Sequence, residues 1–72
     1  MDYNIGQMVV RHLNNRFYWD MVGIVKSKRT VGNRTYYNIL WANPKHNTFN
    51  SDRWQANEFE LVEIAKKVKQ NT

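Results

Sequence analysis

The sequence predicts an all-β fold: a single small barrel of about five short antiparallel strands, with a one-turn helix and a flexible C-terminal tail. Three observations carry that expectation. Five runs of β-branched and aromatic residues follow one another at close spacing, separated by segments rich in Asn, Asp and Gly. Gly23 interrupts the second run, where small barrels use a bend or bulge to turn a corner. The 72 residues, 42% hydrophobic with ten aromatics and no cysteine, have room for one core that must hold by packing alone.

The first run, Met8 to His12, sets Val9 and Val10 between larger residues and is too short for a helix. Leu13 to Asp20 then reads as a loop, because Asn14, Asn15 and Asp20 favour turns, with Phe17-Tyr18-Trp19 as an aromatic cluster on it. Met21 to Lys28 is the second strand. Val31-Gly32-Asn33-Arg34 is a hairpin connection, since Gly and Asn tolerate the positive φ of tight turns. Thr35 to Trp41 is the third strand, and its alternation places Tyr37, Ile39 and Trp41 inward and Tyr36, Asn38 and Leu40 outward.

Ala42 to Asn47 holds the only proline and reads as a loop or wide turn. Thr48 to Trp54 alternates again as a fourth strand, Gln55 to Glu58 makes one helical turn, and Phe59 to Ile64 is a fifth strand that packs Phe59, Leu61 and Ile64 on the barrel. Residues 1–64 thus form the barrel, and residues 65–72 a basic tail of weak helical character, frayed rather than folded.

Gly6, Val9, Gly23-Ile24-Val25, Tyr37 to Trp41 and Glu58 to Val62 together resemble the layout of SH3-like small β-barrels of the KOW and Tudor type, and of small bacteriophage proteins. Tyr18-Trp19, Gly23-Ile24-Val25 and Glu60-Leu61-Val62 are also similar to the small SH3-like subunit of photosystem I. The resemblance spans residues 5–64 and implies a fold; a Tudor-type function would add an aromatic cage, with Asp20 or Asp52 favouring a bound cation.

Eleven Lys and Arg against six Asp and Glu give a net charge of +5, which makes nucleic acid the first partner to consider. The charge is uneven: +5 over residues 1–57, −3 over 58–64 from Glu58, Glu60 and Glu63, and +3 over 65–72. No apolar stretch approaches the ~20 residues of a membrane span, and the opening Met-Asp-Tyr-Asn lacks the order of a signal peptide, so a cytoplasmic protein without a membrane partner is expected.

Catalytic signals are thin. His12 and His46 stand far apart without cysteines or an acidic pair at ligand spacing, Ser27 and Ser51 lack a triad context, and no phosphate loop or dinucleotide fingerprint occurs. A non-enzymatic module without cofactor or metal is the expectation.

The basic residues make a better case. Lys26, Lys28, Arg29 and Arg34 gather around the Gly32-Asn33 turn, with Lys26 and Lys28 sharing the outer face with Ile24 if Val25 and Ser27 point inward. Such lysines equally suit an edge hairpin guarded against aggregation. Arg16, Tyr18 and Trp19 on the first loop and Arg53-Trp54 on the fourth strand add rings on which bases stack beside phosphate-neutralising cations, while Phe17 is expected to cap the core. The expected function is a small DNA- or RNA-binding or regulatory module. The alternative is an adaptor, phage-encoded or accessory, that docks on a host enzyme or complex through the aromatic loop; a monomer or weak homo-oligomer fits either.

Overall fold

A computed structural model of the chain describes residues 2–47 and 53–68, and they form an all-β domain. Strands β1 (Met8–Leu13), β2 (Arg16–Val31), β3 (Arg34–Trp41) and β4 (Phe59–Leu61) build one antiparallel sheet in the order β3-β2-β1-β4. Single 3-10 turns lie at Pro44–Asn47 and Ala56–Glu58, and a one-turn helix α1 (Val62–Ala65) follows β4.

The loop expected from Leu13 to Asp20 is instead a two-residue turn. Asn14 and Asn15 both take left-handed backbone (φ 53° and 62°), the requirement of a tight hairpin turn whose twist matches its strands. Short Asn side chains tolerate that region. Phe17 and Tyr18 are therefore strand residues, opposite His12 and Arg11. Three residues then leave the ladder: Arg11 pairs with Tyr18 while Val10 pairs with Val22, so Trp19, Asp20 and Met21 bulge out between them. Met21 turns into the core and Trp19 and Asp20 face solvent.

Gly23 itself sits in regular pairing, opposite Val9 on one side and Trp41 on the other. Its role is close approach rather than a bulge. A Cβ there would stand 2.6 Å from the Leu40 carbonyl oxygen and 2.8 Å from Ile39 Cγ2. The bulge of β2 against β3 falls at Lys26, between Val25 opposite Ile39 and Ser27 opposite Asn38. This extra residue reverses the strand's parity. Lys28 pairs with buried Tyr37 and lies on the inner face, whereas Arg29 pairs with Tyr36 on the outer one, so Lys26 and Lys28 do not share a face as the unbroken alternation predicts. The Gly32-Asn33 connection is the expected hairpin, with Gly32 at φ 61°.

Tyr37, Ile39 and Trp41 are buried as expected, in a core with Tyr3, Val9, Met21, Val25, Trp54 and Phe59. Tyr37 and Phe59 come from β3 and β4, the outermost strands, yet their ring centroids lie 5.3 Å apart, so the sheet coils until its inner face closes on itself. The return segment completes the closure. Trp54 exchanges two backbone hydrogen bonds with Tyr37 (2.7 and 3.1 Å) on the free side of β3, and Gln55 and Glu58 cap the short turn that leads to β4 beside β1. Of the fourth strand expected from Thr48 to Trp54, residues 48–52 lie outside the described residues and Trp54 forms an isolated bridge.

The fifth strand is shorter than expected. It ends at Leu61, and residues 62–65 turn into α1 because Val62 and Ala65, three apart on one helical face, cover Val10 on the outer side of the sheet. Val9 and Val10 are consequently both fully buried, one on each face of β1. Ile64 faces solvent at 37% exposure instead of packing on the barrel. Ala65, placed by the sequence at the start of the tail, is buried, and Lys66 and Lys67 continue the turn with backbone bonds to Val62 and Ile64. No helix among the described residues is long and apolar enough to cross a membrane.

Candidate nucleic-acid interface

The nine candidate binding residues fall into two groups at opposite ends of β2. Arg16, Tyr18 and Trp19 begin the strand, with Arg53 and Trp54 brought to them by the return segment; Lys26, Lys28, Arg29 and Arg34 surround its far end. They do not form one surface patch.

At the first end, the organising residue is one that sequence reasoning missed. Arg11 follows Val9 by two positions and shares its inward face, a costly place for a cation unless rings receive it. They do: its guanidinium carbon lies 5.3 Å from the Tyr18 ring centroid and 5.7 Å from that of Trp54, and Nη1 donates to Met21 Sδ at 3.6 Å. Arg53 lies over the same Trp54 ring at 4.7 Å. The signal was available as an arginine at core parity inside an apolar strand.

Trp54 is 8% exposed and packs edge-on against Trp41 at 5.1 Å. It is therefore a buried platform for two arginines, not the exposed stacking ring expected from sequence. Trp19 is the accessible ring, 44% exposed, with Phe17 6.2 Å away and His12 4.8 Å beyond it. Phe17 does not cap the main core; it packs against the Val10, Val62 and Ala65 cluster on the outer face. Of the expected cage, Tyr18 and Trp54 already receive Arg11, Asp20 is exposed, and Asp52 lies outside the described residues. Arg11, Arg16 and Arg53 have no carboxylate partner among the described residues.

The other end is arranged differently. Lys28 Nζ bonds both Asp2 oxygens (3.3 and 3.2 Å) and the Tyr3 carbonyl (3.3 Å), while the Tyr37 hydroxyl donates to Asp2 Oδ1 at 3.0 Å. Hydrogen bonds from Lys28 and then Tyr37, with the lysine's charge, hold the Asp2 carboxyl below its ordinary pKa. Burial raises that of Tyr37. Lys28 is thus an internal tether. Arg34 stands exposed on a polar groove of about 620 Å³, with the Thr30 and Thr35 hydroxyls and the Gln55 and Asn57 amides along its walls. Gln55, Ala56 and Asn57 all line this groove, and Trp54, bonded to Tyr37 through its backbone and lying under Arg53 through its ring, connects them to the first end.

The acidic patch is partly structural. Glu58 Oε1 accepts the Gln55 N–H at 2.9 Å, and Glu60 Oε1 accepts the Leu61 N–H at 2.9 Å and the Tyr3 hydroxyl at 3.4 Å. Burial, then the charge of Glu60, pushes Tyr3 up to about 12. The described residues contain no group of three or more His, Asp or Glu placed to hold a metal ion. No protein-family model, curated protein or solved structure matches the chain.

Proposed function

We propose that this chain is a non-enzymatic, single-stranded nucleic-acid-binding module of the SH3-like barrel kind, which holds its polyanion along residues 53–57. The observation that carries the reading is the pair of guanidinium groups, Arg11 and Arg53, seated on Trp54 without a carboxylate partner among the described residues. A guanidinium received by a ring rather than a carboxylate keeps its charge and, beyond the Arg11 Nη1 bond to Met21, further N–H donors for phosphate oxygens, which its fork suits better than a lysine ammonium does. Trp19 supplies the exposed ring on which an unpaired base stacks, and Arg34 a further phosphate contact at the far groove. A duplex, whose bases are already stacked, would leave Trp19 unused.

The test is a titration of short single-stranded and duplex DNA and RNA into the protein, followed by tryptophan fluorescence at low and moderate salt. Quenching by single strands, weakening steeply with salt, is the expected outcome. Absence of binding at low salt would overturn the reading. The adaptor reading, in which the aromatic loop docks on a host protein, predicts instead an affinity for that protein that changes little with salt.

A further inference from the structure

Most of the groove at the far end of β2 is polar without being charged. Lys28 and Asp2 neutralise each other across 3.2 Å, which leaves Arg34 as the cation of its lining with no carboxylate partner among the described residues. Around it stand the Thr30 and Thr35 hydroxyls, 3.1 Å apart, and the amides of Asn33, Gln55 and Asn57. A volume of about 620 Å³ is within the range of small-ligand sites, but such sites are as a rule mostly apolar. This lining suits one phosphate and, beside it, an uncharged part of the ligand rich in hydrogen-bonding groups.

Asp2 narrows the choice. A carboxylate repels a neighbouring phosphate, so whatever it adds to binding comes from an O–H or N–H that it accepts. It has about four acceptor positions. Lys28 fills one on each oxygen and the Tyr37 hydroxyl a second on Oδ1, so Oδ2 keeps one open among the described donors, on a side chain that is 71% exposed at the groove. The same bonds keep the carboxyl ionised and oriented before a ligand arrives. Between single strands of DNA and RNA that carry the same base, the group that differs is the 2′-hydroxyl, which donates as well as accepts. Carboxylates receive ribose hydroxyls in this way in dinucleotide-binding folds. Deoxyribose offers a methylene at that position.

We propose that this groove receives a ribonucleotide and that the bound polyanion is therefore RNA: Arg34 takes a phosphate, Asp2 Oδ2 accepts the 2′-hydroxyl proton, and the amides meet the remaining sugar and base edges. The proposal rests on the single-stranded nucleic-acid reading above and adds to it the choice of sugar. Gln55, Ala56 and Asn57 belong to the run that holds the strand, so a nucleotide in the groove continues a strand bound at Arg53.

The experiment gives the full chain three fluorescein-labelled oligomers of equal length and the same base: oligouridylate, oligodeoxyuridylate, and the 2′-fluoro form of oligouridylate, which keeps the ribose pucker and lacks the donor. Anisotropy measures affinity at one low salt concentration, and amide chemical shifts locate the contact. Oligouridylate is expected to bind about tenfold tighter than the other two, the worth of one hydrogen bond to a charged group, and to shift Asp2 and Asn57. Asp2→Ala should bring RNA and DNA to within about twofold of each other. Removing a carboxylate strengthens binding of both, so the ratio is the quantity read. Asn57→Ala, which leaves the carboxylate in place, should weaken oligouridylate by a few-fold. Equal affinities for oligouridylate and oligodeoxyuridylate would overturn the ribose assignment and leave the single-stranded reading standing. A preference for RNA retained by the 2′-fluoro oligomer, or by Asp2→Ala, would overturn it as well. Failure of all three oligomers to bind would overturn both.

Discussion

The two ends of β2 carry similar basic residues and use them in opposite ways. Near Arg16, two arginines rest on aromatic rings with no described carboxylate in reach. Near Val31, Lys28 is committed to Asp2, the Tyr3 carbonyl and, through Asp2, the Tyr37 hydroxyl. Side-chain charge alone does not separate them. What does is whether a carboxylate or a ring receives the cation: an ion pair consumes its charge locally, whereas a ring fixes its direction and leaves its field intact.

The largest effect is expected at the point both ends depend on. Gly23→Ala forces a methyl against the Leu40 carbonyl and the Ile39 side chain of β3. A cost of about 1–3 kcal/mol is expected, read as a fall in thermal midpoint together with loss of the shift dispersion of Arg11 and Lys28 alike. A full loss at one end only would mean that the ends fold independently.

A smaller and more selective effect separates them. Arg53→Ala should lower affinity for a single-stranded oligonucleotide by about tenfold, with the fold preserved. Lys28→Ala should lower the thermal midpoint slightly and leave affinity within about twofold, as expected for a cation already neutralised. Equal losses of affinity would erase the distinction.

The smallest effects are those of pH. The folded Asp2 carboxyl titrates below its ordinary value of 3.8, so its contribution to stability is present above that pH and is lost as pH falls through the folded value. Asp2→Asn should therefore narrow the acid-side decline. Tyr3 has the opposite sign. Its phenol, raised from 10.0 to about 12, favours the folded state fully below pH 10, and that advantage is lost between pH 10 and 12. Tyr3→Phe should flatten stability across that window, with Tyr37, also raised, accounting for what slope remains.

Much of the sheet was legible in the sequence. The alternation from Thr35 to Trp41 identified Tyr37, Ile39 and Trp41 as core, Gly32-Asn33 identified a hairpin, and Gln55 to Glu58 identified a helical turn. These features follow from local propensity and a period of two. The candidate site was less legible, because it depends on where that period slips. The extra residue at Lys26 carries no sequence mark, yet it moves Lys28 from the outer face to the inner one, and the excursion at Trp19 to Met21 hides that Tyr18 pairs with Arg11. Asn14-Asn15 supports a loop or a two-residue turn equally well, and pairing across β1 selects the turn. Val62 to Ala65 suits a strand by propensity, but the exposed side of Val10 draws it into a helix. Tyr3, buried between Tyr37 and Phe59, belongs to no local pattern.

The central claim is that the arginines on Trp54, rather than the net charge, make the binding surface. The most direct measurement is the salt dependence of single-stranded oligonucleotide affinity for the wild-type chain and for Arg11→Ala, Arg53→Ala and Lys28→Ala. For a single strand, each phosphate contact adds about 0.7 to the slope of log affinity against log salt. The account predicts that Arg11→Ala and Arg53→Ala each lower the slope by about that amount and that Lys28→Ala leaves it unchanged. A slope reduced equally by all three, or by Lys28→Ala alone, would contradict it.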